Sequence, residues 1–390
     1  MNYQELTRKL DCEIAREQAA LLTLSDDLAD NPEASGKEFA SSAKIVNLLR
    51  ERGYDVEYPF AGFQTAFRGI CGANSHKYKI ALMAEYDALP ELGHACGHCL
   101  SGAASVLAGL SLKALQDTLD ADIHIIGTPD EEASGAKCAM VREGVFDGYH
   151  MAMMVHMYDQ NLLAPRLQAM DSYLYRFRGK SVHASTKPWE GVNALNAVQL
   201  MFHAIDMLRQ HVTPDARIHG VIRNGGAAPN IVPELATAEV YIRALDRVYL
   251  NDLVRKVDDC ARGAAIATQC TWDKAETALP FDNLLANEPG LMALKEVYEE
   301  LELPLNGDTE AIFGSSDAGN VSFVCPTFHP CLQVVPKGVA IHTRAFAEAV
   351  KSRQAHEGLI TGAKVIARQV CKLFSQESAV QSLLTAGIRE

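Results

Sequence analysis

Apolar residues recur at helical spacing through the first 55 residues, interrupted by a turn at Asn31-Pro32 and stopping at Gly53. This predicts two amphipathic helices at the start of the chain. Short, mostly apolar runs follow: Tyr78 to Tyr86 (YKIALMAEY), Ala121 to Thr128 (ADIHIIGT) and Met151 to Met157 (MAMMVHM), with a helix-like segment from Leu100 to Gln116 between the first two. Continuous apolar strands separated by helices predict an α/β unit, a mostly parallel sheet covered by helices.

From about Asp171 the texture changes. SYLYRFRG reads as a strand, NALNAVQLMFHAIDMLRQH as a helix, RIHGVIRNG and TAEVYIRAL as strands, Asn251 to about Ala267 as a helix, and Thr271 to Leu279 as a last strand. Strand, helix, strand, strand, helix, strand is the order of a ferredoxin-like α+β sandwich. From Glu288 long helices resume with one apolar strand, LQVVP, so the small unit reads as an insertion into the larger one. The expected division is 1–170 and 284–390 for the outer domain and 171–283 for the inserted domain.

Composition narrows the function. At 390 residues, 48% apolar and 22% charged, the chain is expected to be a folded globule with more than one core. Acidic residues outnumber basic ones 49 to 36, a formal charge of -13, which argues against nucleic acid and anionic membranes as partners. The first residues mix charges through an amphipathic pattern, and no later run looks long enough to span a bilayer, so the expected location is cytoplasmic. Ten cysteines spread from Cys12 to Cys371 read as reduced, mostly buried thiols.

The densest group of metal-capable side chains is GHACGHC, residues 93 to 99, between a predicted strand and a predicted helix. In an extended segment Cys96 and His98, two apart, face the same way, with His94 on that face. Thiolate with imidazole favours zinc or another transition metal over magnesium or calcium. CGHC also spells a disulfide-exchange site, a reading that requires an exposed thiolate at a helix start. Glu131 and Glu132 follow the strand ADIHIIGT, at the carboxyl end where α/β proteins place their sites. In a two-metal hydrolase one such carboxylate ligates and its neighbour takes a proton from water. His156, at the end of a third strand, is a further ligand candidate. His342, in the turn-like GVAIHTRAF, says little alone.

Seven ordered blocks carry a family resemblance: NPEASGKEF, AEYDALPELGHACGH, PDEEASGAK, GKSVHAS, GGAAPNIVPELATAEVYIRA, GSSDAGNVSFVCPTFHP and GVAIHTRAF. They resemble the aminoacylase and glutamate-carboxypeptidase family of two-metal peptidases, in the amidohydrolase branch that includes hydrolases of hippurate, auxin conjugates and aminobenzoyl-glutamate. The resemblance implies a zinc-peptidase-like catalytic domain interrupted by a lid that dimerises. It implies two divalent ions, zinc or manganese, held by Cys96, His98, Glu132, His156 and His342. Glu131 becomes the general base, with Asp87 and His94 orienting ligands from behind. In the lid, His183 corresponds to a histidine that reaches a neighbouring subunit's site and stabilises the oxyanion, and Asn230 and Arg243 correspond to substrate-carboxylate positions.

The expected activity is therefore hydrolysis of a small carboxylate-bearing amide or dipeptide by metal-activated water, in a homodimer or homotetramer assembled through the lid. Two alternatives remain: a catalytically silent metal-binding or assembly homologue, and a thiol oxidoreductase at Cys96 and Cys99. Cys99 stands where the branch has Asp or Asn, and could join the site, oxidise with Cys96 or pack. Asp317 in GSSDAGN has no role derivable from spacing.

Overall fold

The computed structural model describes residues 1–312 and 314–386; the last four positions of the expected outer domain lie outside the described residues. The two opening helices are α1 (Tyr3–Asp30) and α2 (Phe39–Glu51). Asn2 and Glu5 start α1 with a reciprocal capping box, satisfying amide donors that a helix start otherwise leaves unpaired. There follow β1 (Asp55–Glu57), β2 (Phe67–Ile70), β3 (Tyr78–Ala84), α3 (His98–Leu112), α4 (Gln116–Leu119), β4 (Ala121–Gly127), α5 (Ala136–Arg142), β5 (Met151–Met153) and β6 (His156–Tyr158).

The chain then forms β7 (Ala169–Arg178), α6 (Ala194–Leu208), β8 (Arg217–Asn224), β9 (Leu235–Ala244), α7 (Arg247–Thr268) and β10 (Thr271–Glu276). It returns through α8 (Glu288–Glu300), α9 (Ala318–Val321), β11 (Thr327–Phe328), β12 (Cys331–Gln333), α10 (Arg344–Ala349), α11 (Arg353–Phe374) and α12 (Glu377–Ala386). Contacts divide the chain into two units. One holds Met1–Arg166 and the segments that begin at Leu284 and Asp317; the other holds Leu167–Asn283 and Gly314–Ser316.

In the first unit a six-stranded sheet runs β1-β2-β4-β3-β5-β11. The pairings of β3 with β4, β3 with β5 and β5 with β11 are parallel, while β2 pairs antiparallel to both β4 and β1 at one edge. Every residue of β4 is buried, as a strand covered on both faces requires. The predicted strand from Met151 to Met157 is two strands: β5 belongs to the large sheet, and β6 pairs with β12 in a separate two-stranded parallel sheet. His156 therefore opens a strand instead of closing one. Apolar continuity cannot report where a run changes partner sheet, which is why the break was invisible in the pattern.

The helical stretch His98–Leu119, 22 residues long, does reach membrane-spanning length and apolarity, contrary to the expectation that no run would. Its most apolar 18-residue window is 89% buried inside the protein, and it packs with α1, α11 and β3 as the core helix of this unit.

The second unit is a four-stranded antiparallel sheet in the order β10-β7-β9-β8, the ferredoxin-like arrangement. Helices α6 and α7 pack on it over a core of its own that includes Tyr175, Phe177, Met201, Val240 and Leu253. At the sheet edge β8 exposes nearly all of its side chains.

Candidate metal centre

Gly97 decides how GHACGHC is arranged. Its φ of +79° is left-handed, and a Cβ there would fall 2.8 Å from Cβ of Met157, so only glycine fits without strain. The segment therefore turns at Gly97 and starts α3 at His98. Cys96 and His98 converge through this turn, not through the extended alternation expected from spacing. His94 consequently leaves their face. It is buried, and its Nδ1 accepts the Cys99 backbone N–H at 3.2 Å.

The carboxyl ends of β3 and β4 deliver Glu85, Asp87, Glu131 and Glu132. Asp130, just before the glutamate pair, and His342 hold φ of +60° and +61°, conformations that non-glycine residues adopt only where the surroundings impose them. The His342 N–H donates to the Ala95 carbonyl at 2.9 Å, tying the distant turn to the HACGH segment.

Among the described residues four groups of ligand-capable atoms result, the atoms of each within 4.8 Å of one another: Cys96, His98 and His156; Cys96, Glu132 and His342; His98, Glu131 and Glu132; and Glu85, Glu131 and Asp317. All five expected ligands and Glu131 are thus brought together, and the Cys96 sulfur is common to the first two groups. It lies 2.9 Å from Nε2 of His342. Glu132 Oε1 is 3.3 Å from the same nitrogen, and has no well-aligned hydrogen-bond partner among the described residues. Nε2 of His98 and Oε2 of Glu85 are likewise buried without a well-aligned hydrogen-bond partner among the described residues, 3.3 Å apart. Buried polar atoms left this way need a partner. Soft sulfur, imidazole and carboxylate donors converging on one place fit two transition-type divalent ions.

The supporting contacts fit the same role. Nδ1 of His98 is 2.9 Å from Oδ1 of Asp87, whose Oδ2 accepts the Glu132 N–H at 3.0 Å and the Ser35 hydroxyl at 2.8 Å. Burial alone would raise the Asp87 carboxyl, but the charge and hydrogen bond of His98 outweigh it and hold that carboxyl well below the usual range. Glu131 behaves oppositely: burial first, then the charges of Glu85, Asp317 and Glu132, push it well above the ordinary carboxylate value. A carboxylate raised in this way is a stronger proton acceptor.

Cys99 does not join the centre. It is fully buried among the apolar residues packed around α3, and burial pushes its thiol up to about 12. Thiol exchange needs an accessible thiolate, so the oxidoreductase alternative fails, and of the three uses open to Cys99 packing is the one observed.

Sequence reasoning missed Glu85, Lys137 and His329. Lys137 and His329 are both buried, and neither His329 ring nitrogen has a hydrogen-bond partner among the described residues; its ring lies 5.4 Å from that of His156. All three lie inside the blocks that carry the family resemblance, Lys137 closing PDEEASGAK, but nothing in their local pattern marks them as parts of the centre.

The remaining expected residues belong to the inserted unit. His183 Nδ1 lies 3.1 Å from the hydroxyls of both Ser185 and Thr186 on an exposed loop. The Asn230 carbonyl accepts the Ala184 N–H at 2.9 Å, joining the two loops. Arg243 donates from Nη1 to the Ser315 hydroxyl at 3.0 Å.

Comparison with known proteins agrees with this geometry. Residues 169–268 match the M20 peptidase dimerisation domain. The chain is 32% identical to Xaa-Arg dipeptidase of Homo sapiens, over 99% of this chain and 92% of that protein. It is 28% identical to a p-aminobenzoyl-glutamate hydrolase chain of Escherichia coli strain K12, over 97% of this chain and 94% of that one. Among solved structures, a dinuclear metal binding peptidase of the M20 family from Bacillus subtilis superposes with a TM-score of 0.72, at 17% identity, covering 92% of this chain and 98% of that chain. The chain belongs to the M20 family of metal-dependent peptidases and amidohydrolases.

Proposed function

We propose that the protein hydrolyses the amide bond of small carboxylate-bearing substrates, dipeptides or N-acyl and aminobenzoyl amino acids, at a centre formed by Cys96, His98, Glu132, His156 and His342 with Glu131 as general base. The observation that carries the reading is that the Cys96 sulfur belongs to two ligand groups at once while Glu131 lies beside Glu132 and His98.

Zinc or manganese ions held there would polarise the amide carbonyl and acidify the attacking water. Glu131 accepts that water's proton and returns it to the nitrogen of the leaving amine as the C–N bond breaks. Asp87, bonded to the far nitrogen of His98, keeps Nε2 directed at the centre. His183, from the lid of a neighbouring subunit in a dimer or tetramer, donates to the oxyanion. Asn230 and the Arg243 fork take the substrate carboxylate.

The test is metal analysis of the purified protein combined with a panel of dipeptides and N-acyl amino acids, before and after chelation. Turnover that chelation abolishes and zinc or manganese restores supports the reading. A fully loaded protein inert to the whole panel would instead be a silent metal-binding homologue.

A further inference from the structure

Lys137 is completely buried at the start of α5. Its Nζ donates to Glu85 Oε1 at 2.6 Å and Asp317 Oδ1 at 2.7 Å, and its backbone N–H donates to Asp317 Oδ2 at 3.0 Å. One residue therefore binds both oxygens of Asp317 and one of Glu85, tying together the end of β3, the head of α5 and the head of α9. The carboxylates so held are the two that lie within 4.8 Å of the Glu131 carboxylate and of each other.

Stability alone does not account for this cluster. Burying an ammonium with two carboxylates costs desolvation that their attraction only about offsets, and apolar replacements of such clusters are often as stable. The location is more informative. Glu85 Oε2 faces Nε2 of His98, and the Glu131 carboxylate lies within 4.8 Å of ligand atoms of both Glu85 and His98.

We propose that Lys137 is a positioning residue for hydrolysis: by clamping Glu85 and Asp317 it sets the wall against which the Glu131 carboxylate is aimed. Two free carboxylates next to the base would repel it and each other; clamped by one ammonium they form a rigid surface with fixed charge. The inference rests on the reading of Glu131 as the base, and it gives Asp317, unassigned by the sequence, its function.

The experiment uses the full-length, metal-loaded protein carrying Lys137→Met, Lys137→Arg, Glu131→Gln, and Lys137→Met with Glu131→Gln, scored for kcat, KM, bound metal and Tm. Lys137→Met should keep both ions and a KM within about 3-fold while kcat falls about 10- to 100-fold, with Lys137→Arg recovering part of the loss. In the Glu131→Gln background Lys137→Met should cost nothing further, since residues acting as a unit are not additive. Should Lys137→Met fail to fold, Asp317→Asn must give the same split of kcat from KM. A folded, loaded Lys137→Met with unchanged kcat overturns the clamp, as does a kcat that falls only in proportion to lost metal. A Glu131→Gln variant that retains turnover overturns the base assignment first, and the inference with it.

Discussion

Asp87 links two candidate ligands at once: its Oδ1 lies 2.9 Å from Nδ1 of His98, and its Oδ2 accepts the backbone N–H of Glu132 at 3.0 Å. The side chain from the end of one strand thus sets both the ring tautomer of His98 and the path of the loop after the next strand. Replacing Asp87 with Ala should weaken metal binding about 10- to 100-fold, the effect usual for the group behind a ligating histidine. Titration against a chelator of known affinity measures this; unaltered affinity would show that His98 needs no such support.

Glu131→Gln should bind both ions with wild-type stoichiometry and lose about 100-fold or more in kcat, because the amide cannot accept a proton in the reactive step. Metal analysis and steady-state kinetics on the same sample separate this from a binding defect.

Gly97→Ala meets two obstacles, a left-handed φ of +79° and a Cβ 2.8 Å from that of Met157. It should destabilise the fold by about 1–3 kcal/mol and misalign Cys96 with His98. A lowered Tm together with substoichiometric metal is the expected result. Full stoichiometry would mean the turn tolerates a side chain.

His76 contributes a pH-dependent term away from the centre. Its Nδ1 is 2.7 Å from Asp122 Oδ1 and its Nε2 is 3.1 Å from Asp117 Oδ1. The hydrogen bond to Asp122, then that to Asp117, raise its pKa against the opposing effect of burial. A folded-state pKa above the unfolded value of about 6.5 means the stabilisation is fully present below about 6.5 and disappears as pH rises through the raised value. His76→Gln should accordingly lower Tm more at about pH 5.5 than at about pH 8.5. Equal losses at both would contradict the linkage.

Legibility from sequence followed the range of the interactions. The strands β3 and β4 lie within the runs Tyr78 to Tyr86 and Ala121 to Thr128, because a mostly apolar run between turn signals specifies a buried strand locally. His156 was legible as a residue but not as the first residue of a new ribbon, since that depends on β12 arriving beside it. Cys96 and His98 were legible as a pair for an incomplete reason: spacing suggested alternation, and the left-handed turn at Gly97 is what aims them. Lys137 was passed over because a lysine in sequence reads as surface charge, and only the two carboxylates from distant segments make its burial tolerable.

The sequence by itself determined the types of the longer elements, the ferredoxin-like order of the inserted unit and, through its motif blocks, the family and the chemical kinds of group available at the centre. These are carried by local periodicity, by turn residues and by side-chain identity, all of which are present before folding. Tertiary structure alone decided that Cys96 meets His342 across 246 positions and that Lys137 meets Asp317 across 180. It also decided that Cys99 packs while Cys96 faces the ligands. Those outcomes depend on which groups are removed from water together, and desolvation is a property of the packed chain.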